Sequence, residues 1–177
     1  MQRITVLTLG MLLAAASLAP RLTSQTPATP PVGSAQTPQT TEAPVVSGRA
    51  DLQAPLDKVW AALPAAYASL SIPITVNEPA NRVIGTEGMR THHYLGDARL
   101  SKFLNCGEIE GTLNADTYDV NLSMLTQLQP NAAGGTTVTT KVDAAAKPGS
   151  TAGQYNGCIS TGQLETRLVR FIESQLR

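Results

Sequence analysis

Aromatic side chains are scarce in this chain, with one Trp, two Phe and four Tyr among 177 residues, or 4%. A core made without them rests on Leu, Val, Ile and Ala, and few large anchors are left for a tight interface. Charged residues are scarce too, at 15%, and balanced, with 13 Lys and Arg against 13 Asp and Glu. A net charge of zero supplies no field to attract nucleic acid or an anionic membrane surface, so neither is an expected partner. Histidine occurs only at His92 and His93, and cysteine only at Cys106 and Cys158. There is no GxSxG, no Walker loop, no GxGxxG before a helix, no HExxH and no EF-hand spacing. The expectation is therefore a non-enzymatic protein without a cofactor or a metal.

The beginning of the chain has a marked pattern. Gln2 and Arg3 precede an apolar run over residues 4–19 that contains Leu12-Leu13-Ala14-Ala15-Ala16. This is the order of a secretory signal, and 16 residues fall short of the roughly 20 needed to span a bilayer. A signal peptide is expected over residues 1–19, with Ala14 and Ala16 as small residues for cleavage, since a cut after Ala19 would leave Pro20 behind the scissile bond. The alternative is an uncleaved N-terminal anchor facing the periplasm. Either way the product is exported, to the periplasm or beyond, and no cysteine lies near the leader to take a lipid. Residues 20–44 hold six prolines among Thr, Gln and Ser. Such a stretch has too little apolar surface to offset its ordering entropy, so it is expected to be a disordered linker, as a tether or as plain spacer.

Residues 45–177 have the patterning of one small α+β domain. Val46, Ala50 and Leu52 share one parity and Ser47, Arg49 and Asp51 the other, which predicts a half-buried strand. After Ala54-Pro55, residues Leu56, Val59, Trp60, Leu63, Ala66, Tyr67 and Leu70 form one helical stripe, with Pro64 predicting a kink or break. Ile74-Thr75-Val76 and Arg82-Val83-Ile84-Gly85-Thr86 flank Glu78-Pro79-Ala80-Asn81 and predict a hairpin. Residues 90–105 lack a clear period and are expected to be a long loop. Three strands should follow: one with Ile109, Gly111 and Leu113 inward, one with Val120, Leu122, Met124, Thr126 and Leu128, and one with Val138, Thr140, Val142 and Ala144. Ser160 and Gln163 suggest a capping box for a last helix with Leu164, Leu168, Phe171, Ile172 and Leu176 inward and Glu165 solvated. The expected order is β-α-β-β-(loop)-β-β-β-α, a two-layer fold with one antiparallel sheet covered on one face by two helices.

The run over residues 50–88, with strand, Ala-Pro-Leu-Asp-Lys-Val-Trp helix and hairpin, resembles the opening of helix-grip domains. It is similar in rhythm to the START-like ligand-binding superfamily and to the domains of the lipoprotein component C of the β-barrel assembly machinery. The resemblance implies a helix-grip-like fold and covers under a third of the domain. This chain lacks that lipoprotein's lipid-attachment cysteine, and it is short for a deep START-like cavity.

Cys106 and Cys158, an even pair in an exported chain, are most simply a disulfide. A metal site or a nucleophile competes with this reading, but two thiols alone do not make a zinc site and a thiolate nucleophile needs a base. His92, His93, Tyr94, Asp97 and Arg99 form a candidate polar site in the loop, although adjacent residues of an extended chain point to opposite faces, which disfavours chelation. Glu108 and Glu110 are expected on a solvated face, with Asp116 and Asp119 flanking the next turn. Two functions remain. One is an envelope interaction module that contacts another envelope protein through the polar sheet face or the loop over residues 92–103. The other is a small-ligand binder that holds an apolar molecule near Trp60, Tyr67, Met124 and Phe171.

Overall fold

The computed structural model describes residues 46–149 and 154–177, so the expected leader at 1–19 and linker at 20–44 lie outside the described residues. The centre of the fold follows from two long alternating runs. Strands β9 (Asp119–Pro130) and β10 (Thr136–Lys147) pair in antiparallel fashion over their whole length, from Thr136↔Pro130 to Lys147↔Asp119. Every second side chain of β9, from Val120 to Leu128, is buried, and so are Val138, Thr140, Val142, Ala144 and Ala146 of β10. Asn131 closes the turn between them, its Oδ1 accepting from the amides of Ala133 at 3.0 Å and Gly135 at 2.8 Å.

The other strands add to this pair. On one side β9 carries β3 (Val83–His92), which carries β2 (Val76–Glu78). On the other side β10 carries two strands end to end. One is β1 (Val46–Leu52), opposite Thr136 to Val142; the other is β11 (Asn156–Ser160), opposite Ala144 to Ala146. Strand β6 (Leu104–Asn105) then pairs with β11. The result is one seven-stranded antiparallel sheet.

Both helices lie on the face that buries those alternate residues. Helix α1 (Leu56–Ser69) packs over β9 and buries Val59, Leu63, Ala66 and Tyr67. Helix α2 (Gln163–Gln175) packs over β1, β10 and α1 and buries Leu164, Leu168 and Ile172. Each of the Val, Leu and Ile side chains among these removes apolar surface worth about 1.5–3 kcal/mol from water. No helix among the described residues is long and apolar enough to cross a membrane. The disulfide Cys106–Cys158 ties the chain just after β6 to β11, on the way into α2.

Several expectations need correction. The strand expected through Ile109 and Leu113 is a separate two-stranded hairpin, β7 (Glu108–Ile109) with β8 (Thr112–Leu113). Glu110 and Gly111 take φ of 50° and 75°, the left-handed pair that a two-residue turn requires. Ile109 and Leu113 are consequently exposed instead of buried. The place in the sheet is filled by β11, which the sequence pattern did not single out. The loop over residues 90–105 is partly regular: β3 runs on to His92, and β4 (Tyr94–Leu95) pairs with β5 (Ala98–Arg99). Helix α1 continues through Pro64 without a break. The expected capping box is absent, because Gly162 occupies the N-cap and Ser160 Oγ instead donates to the Glu165 carboxylate at 2.9 Å. Glu165 is thereby drawn into the interior and not solvated.

Candidate functional site

The sheet face turned away from the helices is polar, and one irregularity determines what it presents. Strand β3 pairs Thr86 with Met124 but Met89 with Leu122, so an additional residue is inserted at Glu87-Gly88. This β-bulge uses Gly88 at φ 65°, and its amide donates to Ser123 Oγ at 3.0 Å. Before the bulge the even residues Ile84 and Thr86 face the helices. After it Met89 and Thr91 take that side, opposite the buried Leu122 and Val120. Arg90 and His92 are thereby placed on the open face.

There they extend a row across the sheet. His92 pairs with Asp119 and Asp119 with Lys147, and directly opposed residues share a face. Tyr155, just before β11, completes the row, with Lys147 Nζ 5.0 Å from its ring centroid. With Arg90 and Thr91 these residues line a cleft of about 320 Å³. A β-carbon at Gly149 would lie 3.2 Å from Asp119 Oδ2, so glycine there leaves the carboxylate uncrowded. Neither Arg90 nor Lys147 makes a salt bridge among the described residues.

The loop beside this cleft is held by the two histidines. His93 has φ 62°, which breaks the alternation expected of adjacent residues and brings its ring centroid to 3.6 Å from that of His92. His92 Nε2 lies 3.3 Å from the carbonyl of Thr117, and His93 Nδ1 is hydrogen-bonded to the carbonyl of Asp116. A carbonyl only accepts, so each of these nitrogens carries the proton. The pair therefore braces the end of β3 against the 3-10 turn Asn114–Asp116. The buried Asp116 carboxylate accepts from the Ser101 amide at 2.9 Å and its hydroxyl at 2.8 Å, with Arg99 Nη1 at 3.7 Å. Arg99 also lies over Tyr94, 5.8 Å from the ring centroid.

Thus His92, His93, Tyr94 and Arg99 of the predicted loop site do come together. Asp97 does not join them; it lines a separate cleft with Ser71, Gly96, Phe103 and Arg167. Sequence reasoning missed Arg90, Lys147 and Tyr155, and noted Asp119 only as a turn residue. A glycine inside a strand pattern was the one available signal for the bulge. Among the described residues, no three His, Cys, Asp or Glu side chains converge as a metal site. Glu108 and Glu110 are exposed on the small hairpin.

The residues considered for an apolar ligand lie elsewhere. Tyr67 and Met124 are fully buried. The Tyr67 hydroxyl lies 3.2 Å from the carbonyls of Ile84 and Met124 and 2.9 Å from Thr126 Oγ1, which is 3.0 Å from Thr140 Oγ1. Trp60 is half-buried beneath the Arg82 guanidinium, which pairs with Asp57 at 2.9 Å, and Phe171 is half-buried on α2. None of these four residues lines the clefts at the polar row, at Asp97, beside the disulfide or between β1 and α2. The chain matches no protein-family model and no curated protein.

Proposed function

We propose that this domain is a non-enzymatic interaction module of the bacterial envelope, exported and stapled by its disulfide, that docks another envelope protein through the open face of its sheet. The observation that carries this reading is the bulge-directed row His92, Asp119, Lys147 and Tyr155, which with Arg90 leaves a polar cleft uncovered on one side of a sheet whose other side is filled. Side chains on a flat sheet face are held in register by the backbone, so they form a rigid template with little ordering cost on binding. The disulfide supports the exported location. The helix-grip kinship belongs to the same proposal. It is supported by the succession of strand, helix and hairpin over residues 50–88.

The test is site-specific photo-crosslinking in the native host, with the reactive side chain placed in turn at Arg90, at Lys147, at Tyr155 and, as a control, at the exposed Lys58 on α1. The expected result is one recurrent adduct from the three open-face positions and none from Lys58. Equal labelling from both faces, or none at all, would contradict the proposal.

A further inference from the structure

The outermost rank of the sheet is only half filled. Strands β1 and β11 lie end to end along β10, and β11 carries β6 on its outer side. Among the described residues β1 carries nothing there, although its seven residues leave a row of main-chain donors and acceptors at the edge. Beside that edge runs a groove of about 440 Å³. One wall is β1 with Thr140. The other is a single stripe of α2 with its N-cap: Gly162, Glu165, Thr166, Val169, Arg170 and Glu173, spaced by three and one as one helical face requires. At Gly48 the helix sits tight on the strand, since a β-carbon would lie 2.5 Å from Glu165 Cβ. Gly48 and Ala50 keep the groove shallow-walled, and Val169 gives it an apolar patch.

We infer that this slot accepts one additional β-strand, an extended and proline-free segment of a partner protein, in line with β6. Backbone pairing to β1 supplies the attraction and alternate side chains beneath α2 supply the selectivity, as in β-strand addition generally. Two features narrow the chemistry. Ala50 and Val169 leave room for small or β-branched side chains, whereas Glu165 already fills the space over Gly48. On the α2 wall Arg170 and Glu173 make no salt bridge among the described residues, while the Glu165 carboxylate is taken by Ser160, so an Asp or Glu of the segment placed beside Arg170 finds a partner there. The chain's own linker is a poor occupant: no proline-free stretch within residues 20–44 exceeds six residues. A second copy centred on the same strand would place Arg49 against Arg49. The slot lies at the edge of the sheet beneath α2, and the inference stands whether or not the open face docks anything.

The experiment uses the full disulfide-bonded chain as bait for a phage-displayed library of random proline-free eight-residue peptides. The enriched peptide is then synthesised and its binding measured. Hydrogen exchange of the complex should show amides of β1 protected by about tenfold or more, as new ladder bonds require. Thr166→Lys and Val169→Lys, which each place a long cation in the slot, should each weaken binding by about tenfold or more, whereas Lys58→Glu on α1 should not. Thermal melts confirm that each variant is folded, and the exposed Thr166 keeps the test valid if Val169→Lys is not. Lack of any enriched peptide, protection confined to other strands, or unchanged binding by Thr166→Lys would overturn the inference. So would a dimer in light scattering that Thr166→Lys disperses, since the occupant would then be a second copy.

Discussion

Burial lifts the Tyr67 hydroxyl from its ordinary 10 to about 12, because the phenolate would lose its water inside the core, and the hydrogen bond with Thr126 offsets this only in part. The folded state thus holds this proton to a higher pH than the unfolded chain does. Below about pH 10 both states are protonated and stability does not depend on this group. Between about pH 10 and 12 only the unfolded state releases the proton, so stability falls, by roughly 2–3 kcal/mol in all. Tyr67→Phe should remove that alkaline decline and cost about 1–2 kcal/mol at neutral pH, where two carbonyls and Thr126 lose their partner. Urea denaturation of both proteins at pH 8 and pH 11 checks both statements. A decline of equal size in the variant would assign it to another group. Tyr67 was legible in the sequence as one position of a helical stripe. Its polar partners were not, because they are set by which strand passes beneath the helix.

At the scale of elements, parity decides what each strand presents, and the bulge at Gly88 reverses it for Met89 to His92. Inserting one alanine between Gly88 and Met89 should shift the rest of the strand by one position and turn Arg90 and His92 toward the helices. The expected loss is more than about 3 kcal/mol, from burying charge without partners. Gly88→Ala keeps the bulge and should cost only about 1 kcal/mol for its left-handed backbone. Denaturant titration separates the two outcomes, and equal effects would mean that the parity change is unimportant. The disulfide acts at the same scale. It spans 52 residues, and on the chain-entropy model replacing both Cys106 and Cys158 by Ala should cost about 4 kcal/mol. The loss should appear as a lower melting temperature, with exchange protection falling first at the β6 and β11 amides.

The long alternating strands β9 and β10 and both helices were legible, because a period sustained over many residues outweighs local noise. Short segments were not. Glu108 to Leu113 alternates like a sheet strand, yet Glu110-Gly111 is a turn, and Glu is not among the residues that usually mark one. Asn156 to Ser160 is too brief to show a period, so β11 was missed and with it the partner strand of β6. The polar site was half legible for the same reason. His92, His93, Tyr94 and Arg99 are neighbours in sequence, whereas Arg90, Asp119, Lys147 and Tyr155 meet only through sheet register.

For the whole molecule, the account places binding at surfaces. The face under the helices is filled by Leu, Val, Ile, Ala, Tyr67 and Met124, and the opposite face and the β1 edge are left open. A macromolecular partner suits such a distribution, and a small apolar ligand does not. The most direct test is native and denaturing mass spectrometry of the full-length gene product after export. The account predicts a chain two hydrogens lighter than its reduced sequence, with no mass lost on denaturation. A reproducible mass lost on denaturation would contradict the surface reading in favour of a bound small molecule, and two free thiols would overturn the exported location.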